Sequence, residues 1–270
     1  MKLGVLVPLD TDIDAEFAKL RKYGFSTCQL KVWDDALKTD EKAEEVNRAK
    51  EKHGIEITAL WCGWDGPKPW NFTDGPQLLG LIPAAFRFAR MKNLMRGSDF
   101  AKKIGVTDVA THMGFLPENP GTTEFHEVVS AIRVVAEYMT ENGQYLLFEA
   151  GQETPVTLLR TIEAVGTENL GVNLDTANLI VYGKGNPVDA LDVFGKYVRG
   201  THMKDGFFPT DGMQLGRQVP VGKGKVDFAA VIEKLKALGY RGALTIEREI
   251  KGEQQLADIL SAKAYIENLL

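Results

Sequence analysis

Residues 3–14 read LGVLVPLDTDID. The apolar, β-branched run LGVLV has the composition of a strand, and a polar turn with three aspartates follows it. In a doubly wound open sheet, this first strand-to-helix turn carries a glycine-rich phosphate loop. PLDTDID contains no glycine, so the turn favours the other home of repeated strand–helix units, a closed parallel barrel. Asp10, Asp12 and Asp14, with no small-residue cleavage site, make the segment a first strand and not a secretory leader.

Outward from this unit the alternation runs to the end of the chain. Strand candidates fall at 3–7, 27–32, 55–60, 107–112, 145–149, 170–174, 198–203 and 243–247, with helical stretches between them. Phe125, Val128, Val129, Ile132, Val135, Ala136 and Met139 give the clearest helical face. Thr154-Pro155 reads as an N-cap with proline at the first helical position. Gly54, Gly105, Gly143, Gly166 and Gly239 stand where helices end before strands. The charged run 38–52 is the solvated face of the second helix. Eight units in 270 residues give roughly 34 residues each, against ~250 for a typical eight-stranded parallel barrel. No linker divides the chain, so the expectation is one domain over 1–270, a single (β/α)8 TIM barrel of the α/β class. Its longest loops, 61–85, 113–123 and 204–226, all leave the C-terminal ends of strands, where such barrels build active sites.

Composition narrows the function. A net charge of −5, from 37 carboxylates against 32 Lys plus Arg, offers no field to a polyphosphate backbone and disfavours nucleic-acid binding. No run approaches the ~18 apolar residues of a membrane span. Cys28 and Cys62 match no metal or redox spacing. A disulfide framework is therefore excluded, and a reducing cytoplasm is the simplest setting.

The polar residues at the strand ends carry the chemistry. The fifth strand ends in Glu149, the sixth runs into Asp175, the seventh carries His202 and the eighth ends in Glu247. A single carboxylate at such a place is commonly a helix N-cap or a solvated charge. Four convergent groups call for a cation, because neighbouring buried carboxylates repel unless neutralised. Three carboxylates and an imidazole suit one Mn2+ or Mg2+, with Co2+ and Zn2+ as alternatives.

FEAGQETP (148–155), GVNLDTANLIVYG (171–183), GTHMKDG (200–206), PVGKGKVDF (220–228) and GYRGALTIERE (239–249) resemble the xylose isomerase-like barrel family of sugar and sugar-phosphate isomerases and epimerases. The resemblance covers essentially the whole chain. It implies Glu149, Asp175, His202 and Glu247 as ligands of one divalent cation, with a small sugar or sugar phosphate as substrate. By likeness to the ketose 3-epimerases of the family, it also implies that Glu149 and Glu247 move the proton. The residue types suit that chemistry. A ketose carbonyl and its neighbouring hydroxyl would chelate the metal, which stabilises the enediolate left when a C–H proton departs. Glu149 and Glu247 would act as base and acid on its two faces. Return of the proton to the opposite face is epimerisation, and return to the adjacent carbon is isomerisation.

Five more residues are candidates for substrate contact: Trp61, His112, Glu153, Lys204 and Arg217. Each has a plainer reading beside it. Glu153 either binds a sugar hydroxyl, as the resemblance suggests, or favours the helix N-terminus that follows. His112 points to the same rim or is structural. Lys204 orients a sugar oxygen or pairs with a carboxylate, while Asp205 caps or braces its loop. Trp61, Trp64 and Trp70 offer a platform for a sugar face, a loop core or a homo-oligomer contact. Arg217 meets a substrate oxygen or phosphate, or is solvated. VGKGK is no dinucleotide fingerprint, because no strand–helix unit surrounds it. His53 and His126 fall on outer helices as surface residues.

Three other functions are weighed against this one. The apurinic-site endonucleases of the same fold need many rim histidines for a multi-zinc cluster; this chain has four in all, and Asn178 stands where that branch keeps a histidine ligand. A lyase or deglycosidase acting on keto-sugars would use the same enediolate to expel a β-substituent. A non-catalytic sugar-binding barrel or partner subunit is the reading from another class, and the intact four-residue set argues against it.

Overall fold

The apolar runs pair side by side, all parallel, and close on themselves. In the computed structural model, which describes residues 1–270, the strands are β1 Leu3–Pro8, β2 Thr27–Val32, β3 Glu56–Cys62, β4 Asp108–Thr111, β5 Tyr145–Glu149, β6 Leu170–Asp175 and β7 Val198–Met203. After β7 come β8 Asp205–Gly206 and β9 Gln218–Val219, a short antiparallel pair outside the barrel. Then β10, Leu244–Ile246, closes the ring between β7 and β1. Every predicted strand is present, with bounds that differ by at most two residues. The β8–β9 pair was not anticipated within the 204–226 loop, because two residues per strand leave no periodicity to read.

Helices α1 Ile13–Lys22, α2 Asp40–His53, α4 Ala84–Lys103, α5 Thr123–Glu141, α6 Pro155–Val165, α8 Pro187–Phe194, α9 Phe228–Ala237 and α10 Glu253–Glu267 form the outer layer, and the single turns α3 Gly75–Leu78 and α7 Asn178–Val181 lie in the loops after β3 and β6. The protein is a single (β/α)8 TIM barrel. All seven residues of the apolar face on α5 are buried. On α2 only Ala43, Val46 and Ala49 are buried, so its charged run is indeed the solvent face. Thr154 caps α6 by accepting from the Thr157 N–H, and Gly54 and Gly166 end α2 and α6 in the left-handed region, at φ +60° and +71°. His126 is exposed as expected. His53 is not a free surface residue: it is half-buried, with Nε2 2.9 Å from Asp14 Oδ1.

Strand side chains alternate between two environments. Residues facing outward, such as Val5, Val7, Leu30, Val172 and Leu174, pack with the helices into the main core. The inward set has a small apolar cluster, Trp61, Ala110 and Leu147, and turns polar towards the C-terminal strand ends with Gln29, Asn173, Asp175 and His202, all fully buried. The wall has one weak seam. β1 pairs with β10 only through Leu3, Gly4 and Val5, while its other edge pairs with β2 as far as Pro8. The long loop after β3 is held by Arg90 of α4, buried at 1% exposure. Its guanidinium donates to the carbonyls of Asp65, Pro67, Leu78 and Gly80 at 2.7–3.3 Å. No helix is long and apolar enough to cross a membrane, and both cysteines are free and buried.

Candidate active site

Register brings the four strand-end residues together. Asp175 lies beside His202 across the β6–β7 ladder, and His202 beside Thr245 of β10, two residues before Glu247. Glu149 ends β5 next to Asn173. One potential ligand atom from each of Glu149, Asp175, His202 and Glu247 lies within 4.8 Å of every other. The Nδ1 atom of His202 is 3.0 Å from Glu149 Oε1, 3.3 Å from Glu247 Oε2 and 4.0 Å from Asp175 Oδ2. Asp175 Oδ1 accepts the N–H groups of Ala177 and Asn178, both at 2.8 Å, which leaves Oδ2 turned into the cluster.

Burial works against charge on every member, and the neighbours decide the outcome. On Glu149 burial is outweighed by the imidazoles of His112 and His202, which hold the carboxyl down at about 2. On Glu247 it is outweighed by Lys204 and His202, which hold that carboxyl well below its usual range. Asp175 goes the other way. Burial, joined by the charges of Glu247 and Glu149, raises it to about 7 against the pull of Lys204. Burial disfavours the imidazolium of His202, yet Glu149 and Glu247 raise it to about 10. Two ionised carboxylates therefore face two protonated bases, and the third carboxyl keeps its proton near neutrality.

These residues fit a divalent cation. Asp175 Oδ2 and Glu247 Oε2 are buried without a hydrogen-bond partner, and carboxyl oxygens so placed are costly to ionise unless something positive meets them. Lys204 Nζ answers part of the need, 3.5 Å from Asp175 Oδ2 and 3.6 Å from Glu247 Oε2. The protons on His202 and Asp175 supply the rest, and a metal displaces such protons when it binds. Oxygen donors with one imidazole suit a hard divalent ion.

The other predicted residues sort into three groups. Trp61, His112 and Lys204 do reach the cluster. The Trp61 indole N–H donates to Glu149 Oε2, and His112 Nε2 lies 3.4 Å from the same oxygen. Lys204 is buried and pairs with Glu249 at 2.8 Å as well as with the two cluster carboxylates, so of its two readings the carboxylate partner is the one observed. Asn178 accepts from Lys204 at 3.2 Å. Glu153 is buried beside Glu149, and burial pushes its carboxyl up to about 8. Arg217 stands apart: it is exposed, and its guanidinium lies over the Phe207 ring at 4.7 Å. Asp205 does brace its loop. Its carboxylate accepts four backbone N–H groups, from Gly206, Gly222, Gly224 and Val226, at 2.7–3.1 Å. A Cβ on Gly224 would come within 2.1 Å of Asp205 Oδ1, which accounts for the glycine in VGKGK.

Sequence reasoning missed Gln29, Asn173, Trp33 and Gln218. His202 Nε2 lies 2.9 Å from Gln29 Oε1, and Gln29 Nε2 donates to Asn173 Oδ1 at 2.9 Å. A Cβ on Gly200 would approach that Asn173 oxygen to 2.4 Å, so the glycine leaves room for the amide pair. Trp33 stacks among Trp61, Trp64 and Trp70 at 4.8–6.4 Å between ring centres. Gln218 accepts from Arg248 Nη1 and the Glu249 N–H, bracing the segment that carries Glu247. A signal for Gln29 and Asn173 did exist. Thr27-Gln29-Lys31 and Asn173-Asp175 are polar residues at two-residue spacing within apolar strands, the mark of a polar interior.

Comparison with known proteins agrees with this architecture. The profile of the family described as xylose isomerase-like TIM barrel matches residues 17–268. The crystal structure of a xylose isomerase domain protein from Planctomyces limnophilus is 32% identical, with a TM-score of 0.93, and the match covers 99% of this chain and 96% of that one. YcjR, the 3-keto-D-glucoside 4-epimerase of E. coli, solved in its apo form, is 18% identical with a TM-score of 0.76 over 99% of each chain; that likeness is one of fold. The protein named "Putative L-ribulose-5-phosphate 3-epimerase SgbU" of Escherichia coli K12 is 33% identical over 96 residues, 34% of this chain and 33% of that protein. The chain thus spans about a third of the length of the curated relatives it matches.

Proposed function

Because the chain belongs to the xylose isomerase-like TIM barrel family, we propose that it is a divalent-metal-dependent sugar epimerase or isomerase acting beside a ketose or keto-sugar carbonyl. The observation that carries this reading is the buried Glu149–Asp175–His202–Glu247 cluster with two carboxylate oxygens lacking hydrogen bonds. Those four residues would hold the cation, Mn2+ or Mg2+ by their donor chemistry, which when bound supplies Lewis-acid polarisation of the carbonyl.

The proton is the task of the chain's own carboxylates. Glu149 ends β5 and Glu247 directly follows β10, strands separated around the ring by β6 and β7, and so they approach a bound sugar from different sides. Glu247 Oε2 accepts no hydrogen bond and is open to take a proton from carbon. Glu149 serves as its partner, its ionised form held by His202 and by the Trp61 indole. Glu153, kept protonated at neutral pH by burial, donates to a sugar oxygen. His112, whose Nδ1 is buried without a partner, contacts the same substrate. Lys204 balances the charge of Asp175 and Glu247. The setting is the cytoplasm, which suits two free buried thiols.

Gln29 positions His202. By accepting from Nε2–H it leaves Nδ1 as the ring atom that faces the carboxylates, the usual task of a residue behind a ligating histidine. Gln29→Leu is expected to weaken Mn2+ binding about 10–100-fold, read by isothermal titration calorimetry. Unaltered affinity would refute the role.

The function itself is tested by incubating the Mn2+-loaded protein with ketoses and keto-glycosides in D2O and recording NMR spectra. Deuterium is expected at the carbon next to the carbonyl. Release of an aglycone would replace the epimerase reading with a lyase, and saturable binding without exchange would replace it with a sugar-binding barrel.

A further inference from the structure

Beyond Val5 and Ile246 the β1–β10 ladder ends, and the barrel wall opens there. A cavity of about 670 Å3 lies at this seam. Its inner part is lined by Glu247, Lys31 and Leu6, and its outer part lies between α1 and α10, against Leu20, Leu256 and Ile259. Glu247, the proposed proton-transfer residue, thus borders a cavity that extends outside the ring of strands, and it is the one member of the four-residue cluster to do so. The volume falls within the ~300–1,000 Å3 of sites that enclose drug-sized ligands, and it exceeds what a single monosaccharide fills.

The lining states what the chamber accepts. Leu6, Leu256 and Ile259 are only half-buried, so they offer apolar surface that the fold itself leaves uncovered, where an apolar group gains by leaving water. Two cations of the outer part are engaged, Lys19 with Glu16 at 3.5 Å and Arg248 with Asp258 at 2.7 Å, and Lys251 is exposed at the rim. Asp10, Asp34 and Glu249 also line the cavity. A phosphate would meet as much negative as positive charge there.

We propose that this chamber is a second subsite, which holds an uncharged, partly apolar substituent on the sugar whose carbon is served by Glu247. The substrate is thus a conjugate of glycoside type in preference to a free or phosphorylated monosaccharide. The inference rests on the sugar epimerase or isomerase reading, and its test separates the two.

With Mn2+-loaded full chain, kcat/KM for proton exchange is measured on the methyl and phenyl glycosides of one keto-hexose and on the corresponding sugar phosphate. The phenyl glycoside is expected to lead both by tenfold or more. Leu256→Trp, which fills the outer part and touches no cluster residue, should abolish that lead and leave the methyl glycoside unchanged. Ile259→Phe serves the same purpose should the first variant fail to fold. Equal values for the two glycosides, a faster sugar phosphate, or an equal loss on both glycosides in the variants would overturn the subsite. Calorimetry with unreactive phenyl β-D-glucoside reads the chamber without turnover. Binding that Leu256→Trp removes, with no exchange on any sugar, would uphold the chamber and refute the epimerase reading. Absence of phenyl β-D-glucoside binding would refute the chamber.

Discussion

Glu247→Gln is expected to lower turnover of the cognate keto-sugar by about 10²–10⁴-fold, the usual contribution of a positioned acid or base. The substitution keeps the shape of the side chain and removes only its ability to take a proton. Glu247 Oε2 lies in the field of Lys204 and His202, at 3.6 and 3.3 Å, and an amide oxygen of the same shape can occupy its place beside them. The fold should therefore persist, checked as an unfolding temperature within a few degrees of the parent's. Glu247 is also one of the four proposed ligands, so the Mn2+ affinity of the variant is measured alongside. Lost exchange into substrate at saturating Mn2+ separates the proton role from the ligand role. Turnover within about threefold of the parent would rule out Glu247 as a proton carrier, since general acid–base catalysis contributes far more.

The second large effect is on stability. Mn2+ at about one hundred times its dissociation constant should raise the unfolding free energy by ~2.7 kcal/mol, because only the folded cluster binds it. For a chain of this size that corresponds to roughly 5–10 °C in Tm, read by differential scanning fluorimetry with and without chelator. Asp175→Asn is the matched control. Its Oδ1 can still accept from Ala177 and Asn178, which preserves the turn after β6, while an amide N–H2 replaces the buried Oδ2. The variant should fold and lose most of the Mn2+ shift. No shift in the parent would count against the metal centre. An equal shift in Asp175→Asn would remove Asp175 from the ligand set.

Much of this was legible in the chain because period and chemistry pointed the same way. The strands at 145–149 and 170–174 announced themselves by apolar runs, and the polar residue at or just after each end, Glu149 or Asp175, had no reason to be there except the rim. His202 and Glu247 followed from the same rule. What stayed hidden depended on contacts across the barrel. Gln29 lies in β2, far in sequence from His202, and only closure of the ring sets its amide against the imidazole. Trp61 is open to reading as a sugar platform, a loop core or an oligomer contact, and its indole N–H faces Glu149, a direction that no spacing encodes. Arg217 reads as a contact to a substrate oxygen or phosphate or as solvated, and only the backbone pairing of Gly206 with Gln218 places its exposed side chain over the half-buried Phe207 ring. The lateral chamber was equally invisible, since it arises where two strands stop pairing.

The carboxylate of Asp205 gathers backbone from both sides of a long excursion, and the β8–β9 rungs sit directly against it. The chain consequently leaves and re-enters the barrel at one fixed point, three residues after His202. Residues 207–217 run between these fixed ends, with Gly216 donating its N–H to Val181 O of α7 at 2.8 Å. Closing a flexible loop depends only weakly on its length, so segments of other lengths can be exchanged there without displacing the histidine. Such an arrangement lets a lineage diversify what its barrel recognises while the reacting centre stays constant.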